Sequence, residues 1–245
     1  MKKAWLALRS AVLWAISLVH FGVVCTLLIV LAIFVDARKN DWPQRVFFRN
    51  ILRLAGVRFE VRRGSGFDES RTCIFICNHV NIFDPFVVYS AIPQFVRGFE
   101  LESHFTIPVY GWMMGRFGNV PVPDGRSREG LERMTRKADD ALKSGISLVA
   151  FAEGGRTRDG HVGRFHRGVF KLAQRFGTPI VPMSIVGSYQ FFRTGHWMMH
   201  PGKITVYLHD TIETSQIDRS EVNALAERVH AIVAAPVEES LKSGL

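Results

Sequence analysis

The stretch CNHVNIFDPF, residues 77–86, places a histidine and an aspartate five positions apart, directly after an apolar run. An imidazole in reach of a reacting hydroxyl can take its proton near neutral pH. A carboxylate on the other ring nitrogen fixes the tautomer that leaves the lone pair free. His79 and Asp84 could form such a base-and-orienter pair. A plainer reading stands beside it, because Asp84 followed by Pro85 is also what a helix start requires. That reading accounts for the aspartate. It accounts less well for the polar Asn78-His79 pair closing a fully apolar segment.

A second candidate is FAEGGRTRDGHVGRFHRG, residues 151–168, where five glycines surround Arg156, Arg158, Arg164 and Arg167. Glycine lets backbone N–H groups approach an anion, and arginine supplies forked donors to phosphate oxygens. A helix beginning near Gly168 would add its positive end. Glu153, at the start of the stretch, could buttress one of the arginines. The competing reading is a solvated basic loop. Other chemistries lack their patterns: there is no G-x-S-x-G elbow and no G-x-x-x-x-G-K-[ST] phosphate loop. His196 and His200 are spaced i, i+4 but without a glutamate between them or a third ligand, so no metal site is expected. Trp112-Met113-Met114 and Trp197-Met198-Met199 fit a core or, in a membrane enzyme, the lining of an acyl channel or a contact with the membrane interface.

Both candidates need elements to position them. TCIFIC and ISLVAF are apolar throughout, as strands buried on both faces are, and each leads into one of the polar stretches. DPFVVYSAI and GVFKLAQRFG read as the helices that follow. PIVPMSIVG, KITVYLHD and the alternating VRFEVRR supply further strands. NDWPQRVFFRNILRLAG, REGLERMTRKADDALKSG and the segment from Ser220 to Lys242 supply further helices. Strands alternating with helices predict an α/β domain with a mixed, largely parallel central sheet flanked by helices. His79 and the arginine stretch then sit at strand carboxyl ends, where open α/β sheets bind ligands.

The chain has 245 residues and a formal net charge of +9, which calls for an anionic partner. Residues 11–35 carry no formal charge. As a helix they would reach ~37 Å, enough to cross a ~30 Å hydrocarbon core. A membrane anchor over residues 1–40, followed by a catalytic domain over 41–245, is the expected organisation. A signal peptide competes, but the run is long for one and no small-x-small cleavage site follows. His20 within it makes a bent or re-entrant hairpin as acceptable as a straight span. Cations flank the run on both sides, so the charge rule does not orient it. With a greasy segment present and no nucleic-acid module in view, lipid headgroups and phosphorylated substrates are the expected partners, not nucleic acid. Cys25, Cys73 and Cys77 form no C-x-x-C pair. On one strand, Cys73 and Cys77 would be ~13 Å apart, too far for a disulfide.

On these residues the chain resembles the 1-acylglycerol-3-phosphate acyltransferases of the glycerolipid acyltransferase superfamily. NHVNIFDP resembles their N-H-x4-D motif, and ESHFTIPVYGWMMGRFGNVPV the stretch leading to their second motif. FAEGGRTRDG resembles their F-P-E-G-T-R-S motif and IVPMSIVG their V-P-x-x-I-x-G motif. The four occur in family order between about Val57 and Lys203. The resemblance implies transfer of an acyl chain from acyl-CoA or acyl carrier protein to a lysophospholipid hydroxyl, with no metal and no cofactor beyond the donor. It assigns His79 as general base and Asp84 as its orienter. Glu153, Gly154, Gly155 and Arg156 would hold the acceptor's phosphate side, with Val181 and Pro182 shaping the site. It also implies a membrane enzyme whose catalytic domain faces the cytoplasm, at the inner membrane if bacterial.

Two departures are visible. Ala152 and Gly155 replace the family's proline and threonine. Asp124 occupies the place of the second motif's arginine, and Arg126 is expected to serve from two residues later. An ornithine lysolipid or another lysolipid therefore stays open as acceptor, and so does a non-catalytic protein that binds anionic membranes.

Overall fold

The computed structural model describes residues 2–36, 41–125 and 127–243. Helix α1 (Lys2–Phe34) and helix α2 (Asp41–Leu54) precede the sheet. The strands are β1 (Val57–Arg63), β2 (Ile74–Cys77), β3 (Val96–Leu101), β4 (Val120–Val122), β5 (Ser147–Phe151), β6 (Ile180–Val186) and β7 (Gly202–Leu208). Between and after them lie α3 (Asp84–Ala91), α4 (Tyr110–Arg116), α5 (Arg128–Lys143), α6 (Gly168–Phe176), the single turn α7 (Ser188–Phe191) and α8 (Val222–Ser243).

The seven strands form one sheet in the order β1-β7-β6-β2-β5-β3-β4. Every neighbouring pair is parallel except β6 and β7. This is the mixed, largely parallel sheet expected from the alternation of strands and helices. Its two faces carry separate cores. Successive side chains of a strand point to opposite faces, so Phe75 and Cys77 of β2 join α1, α2 and α3 on one side. Ile74 and Ile76 join α5, α6 and α8 on the other. Burying a side chain such as Phe75 or Ile76 contributes about 1.5–3 kcal/mol, and both are fully buried. Their strand is therefore fixed in register and in depth.

The N-terminal apolar segment is one unbroken helix, with no hairpin turn, and it does not stand apart from the body. Leu13, Cys25, Leu28 and Ala32, spaced at helical intervals, are buried. Arg9 donates to the carbonyls of Met199, at 3.2 Å, and Ala55, at 2.5 Å. Trp14 donates to the Trp197 carbonyl at 2.7 Å, and Arg116 to that of Ala32 at 2.6 Å. The His20 ring rests on Phe47 of α2 at 4.6 Å. The opposite face of α1 exposes Trp5, Leu8, Val12, Ile16, Val19, Val23, Leu27 and Val30. By length and composition this helix can cross a bilayer. All three cysteines are free and buried.

Candidate active site

Strand β2 ends at Cys77, and the chain turns sharply before α3 begins at Asp84. The Asp84 carboxylate does not cap that helix, contrary to the capping expectation, because its side chain points back into the turn. Its Oδ2 accepts from the backbone N–H of Val80 at 2.5 Å and of Asn81 at 2.8 Å, and lies 2.9 Å from His79 Nδ1. Its Oδ1 accepts from the Ser188 hydroxyl at 2.6 Å. A carboxylate with these neighbours is an acceptor, so Nδ1 carries the ring proton and Nε2 presents its lone pair. The imidazole is further held flat against Phe151 at 4.0 Å between centroids. Asp84 is fully buried, and His79 keeps 17% of its side chain exposed. The arrangement is that of an oriented general base with one open nitrogen.

Around the pair, buried amides tie the corner to its neighbours. Asn78 exchanges two hydrogen bonds with the backbone of Ile185, at 3.1 and 2.8 Å, extending the β2–β6 pairing by one rung made of a side chain. Asn81 donates to the Ser188 and Phe192 carbonyls and accepts from the Phe83 N–H. Ser188 reaches Asp84 because Gly187 turns the chain with φ +89°. A Cβ there would stand 2.1 Å from the Lys203 carbonyl oxygen. Neither Asn81 nor Ser188 was marked by sequence reasoning. Their only signals are a polar residue inside the His–Asp interval and one directly after the fourth motif's glycine.

The arginine stretch follows β5 and meets His79 through Glu153. One carboxylate oxygen accepts from the His79 N–H at 2.7 Å and the other from the Gly163 N–H at 2.8 Å. Burial raises the Glu153 carboxyl above the usual carboxylate range, against the pull of those two donors. The structure thus places Glu153 as a brace between the two motifs, and among the described residues it pairs with no arginine. The Thr157 N–H adds a 2.9 Å bond to the His79 carbonyl. Gly154 has φ +68°, and His166 packs where its side chain would be. Gly155 and Arg156 are exposed beside it, and Arg156 has no ion pair among the described residues. Pro182 is buried within β6 opposite Ile76, so it presents no surface to a ligand, and Val181 is likewise enclosed. Arg126 lies outside the described residues. Asp124, at the divergent position of the second motif, accepts from the Ser103 hydroxyl and N–H, which hold its carboxyl below the usual range. It closes a turn.

An apolar cavity of about 290 Å³ lies against the β2–α3 corner. Phe151, which stacks on His79, lines it together with Phe83 and Phe86 of the corner and Trp14 and Phe21 of α1. Met113 and Met114 line it from α4, while Trp112 itself is exposed. The polar groups at its wall include Glu100 and Tyr110, 3.1 Å apart. Burial, followed by the Glu100 charge, raises the Tyr110 phenol well above its ordinary value. A largely buried His–Asp pair, a cationic loop and an apolar slot therefore lie at one end of the sheet, an arrangement able to hold an anionic head and an apolar chain near a proton acceptor.

A family model described as Acyltransferase matches residues 47–186. The chain is 31% identical over 147 residues to a chloroplastic 1-acyl-sn-glycerol-3-phosphate acyltransferase of Brassica napus, covering 60% of this chain and 42% of that protein. It is 24% identical over 186 residues to a 1-acyl-sn-glycerol-3-phosphate acyltransferase of Pseudomonas aeruginosa, with 76% and 71% covered. Against a third, from Cocos nucifera, it spans 58% of the length, so the chain amounts to about half of some of the relatives it matches. The crystal structure of the 1-acyl-sn-glycerophosphate acyltransferase PlsC from Thermotoga maritima superposes with a TM-score of 0.83. That match covers 98% of this chain and 97% of that one at 23% identity, a likeness of fold.

Proposed function

From the premise that the chain belongs to the Acyltransferase family, we propose that it transfers a fatty acyl chain from a thioester to the hydroxyl of a lysophospholipid, in first place 1-acylglycerol-3-phosphate. The observation that carries this reading is the His79 Nδ1–Asp84 Oδ2 contact of 2.9 Å, on an imidazole stacked against Phe151, itself part of the apolar cavity's wall. In the proposed reaction His79 Nε2 removes the proton of the acceptor hydroxyl as its oxygen attacks the thioester carbonyl. The tetrahedral intermediate collapses with cleavage of the C–S bond, and the proton passes from the imidazolium to the departing thiolate. Asp84 steadies the imidazolium electrostatically and keeps its own place through the two N–H donors and Ser188. The cavity takes the hydrocarbon chain, and Arg156 is the donor best placed for the acceptor's phosphate.

The same reading places the protein on a membrane. The exposed face of α1 is almost wholly apolar, while its other face is tied by Arg9 to Ala55 just past α2, by Trp14 to Trp197 in the loop before β7, and by Arg116 of α4 to Ala32. Immersing that exposed face in the bilayer sets the cavity, which Trp14 and Phe21 line from the inner face of α1, beside the lipid from which a lysolipid would enter. We assign the cytoplasmic side, where buried free thiols persist.

The test is release of free thiol from acyl-CoA by the purified protein, with lysophosphatidic acid, ornithine lysolipid or no acceptor present. Release that requires lysophosphatidic acid is the expected result. Release without acceptor would make the protein a thioesterase, and none with any acceptor would make it a non-catalytic membrane binder.

A further inference from the structure

The two cores on opposite faces of the sheet give the molecule two unlike sides. His79, Phe151 and the apolar cavity belong to the side of α1, α2 and α3. On the side of α5, α6 and α8, away from the apolar helix, a cleft of about 430 Å³ lies between the arginine loop and α8. Its walls include Arg164 and Arg167 from the loop, and Asn223, Glu227 and His230 from α8. Arg164 is exposed with no ion pair among the described residues, and Arg167 is held extended by a 3.0 Å bond to Asn223 Oδ1.

The loop edge of this cleft is clamped in place. Glu238 of α8 accepts from the Val162 N–H at 3.2 Å and lies 2.7 Å from His161 Nδ1. His230 Nε2 donates to the Val162 carbonyl at 3.2 Å. One residue on, the Gly163 N–H is held by the same Glu153 carboxylate whose other oxygen holds the His79 N–H. The loop that carries Arg164 is thus tied, one residue before it, through a single carboxylate to the backbone of His79, although the cleft and the apolar cavity lie on opposite sides of the sheet.

Resting on the proposed acyl transfer, we infer that this cleft docks the phosphorylated, water-soluble carrier of the acyl thioester, its phosphates against Arg164 and Arg167. A lysolipid arrives from the bilayer, on the α1 side, with Arg156 at the near end of the loop beside His79. A pantetheine thioester arrives from water, on the α8 side, and its extended arm reaches past the Glu153 bridge to the imidazole. The loop then reads two phosphates with two sets of arginines. Glu227, the one carboxylate lining the cleft, limits how tightly the anion is held.

Calorimetric titration of CoA into the full-length protein in detergent tests this without requiring turnover. The Arg164→Ala/Arg167→Ala double variant is expected to weaken CoA binding about tenfold or more, as loss of charge-assisted phosphate contacts does. Glu227→Gln is expected to tighten it roughly two- to threefold by removing a like charge, a gain that misfolding does not produce. In acyl-transfer assays the double variant should raise the KM for the donor and leave that for the acceptor unchanged. Parallel assays with acyl-CoA and acyl carrier protein identify the source of the phosphate by which donor's KM rises. Unchanged CoA binding in both variants, or an effect confined to the acceptor's KM, would overturn the assignment. CoA binding that responds as expected, in a protein that acylates no lysolipid, would instead overturn the proposed reaction and leave the cleft standing.

Discussion

The turn between β2 and α3 and the loop between β5 and α6 both follow a buried parallel strand, and both bring polar side chains to the same end of the sheet. They are built on opposite plans. In the first, nearly every polar atom is committed: Asp84 has four hydrogen-bonding neighbours, Asn78 and Asn81 bond to backbone on both sides, and the imidazole is pinned on Phe151. In the second, the backbone is braced by Glu153 and Glu238 while Arg156, Arg158 and Arg164 extend into solvent. A proton acceptor must be in one place with one tautomer, so buried hydrogen bonds are concentrated on it. A cation that follows a phosphate into place is better left uncommitted on a rigid base.

Substitutions in the two regions should therefore fail in different ways. The largest effect is expected from Asp84→Asn. An amide at the position of Oδ2 turns a donor toward donors and no longer selects the Nδ1–H tautomer, so kcat should fall roughly 10³-fold or more. Steady-state kinetics on protein shown by circular dichroism to be folded would check this. Ser188→Ala removes the hydroxyl donor from Asp84 Oδ1, a bond to a charged group in the class of about 1.5–3 kcal/mol. A loss of roughly 10- to 100-fold in kcat, with little change in the acceptor's KM, is the expected outcome.

In the loop the pattern should reverse. Arg156→Ala is expected to raise the acceptor's KM about five- to tenfold and to change kcat by less than that. An unchanged KM for a phosphorylated acceptor would remove Arg156 from its role. The smallest effect lies away from both regions. Burial lowers the pKa of His209, whose Nε2 lies 2.8 Å from the Ser184 hydroxyl. A histidine held below its ordinary 6.5 binds fewer protons folded than unfolded. Its contribution to stability is therefore intact above that pH and is lost as the pH falls through it. The unfolding temperature of His209→Gln, measured from pH 7.5 to 5, should decline less steeply than that of the parent.

How much of this was legible in the sequence depended on where the determining contacts lie. Strands β2, β5 and β6 announce themselves because both faces are buried and their residues are apolar throughout. Strand β3, with the sequence VRGFEL, does not. Its Arg97 is buried with the guanidinium stacked on Phe95 at 3.8 Å and donating to the carbonyls of Val96 and Phe117, the last a partner that only the folded chain provides. Three-residue β4, with a proline at its centre, and α4, with two glycines, similarly owe their form to tertiary contacts. The pairing of His79 with Asp84 was readable because both lie within one turn. The Ser188 hydroxyl that completes it comes from 104 positions away. Glu153 was visible as a residue of interest, but its service as a brace depends on two backbone N–H groups, which no residue type advertises.

The most direct test of the central claim is the turnover of His79→Ala, assayed as acceptor-dependent thiol release beside the parent protein. The backbone N–H that Glu153 holds survives that substitution, so the unfolding temperature should be close to the parent's. A loss of about 10² to 10⁴ in kcat, the usual contribution of a general base, is the result predicted. Parental turnover from a fully folded His79→Ala protein would contradict the account.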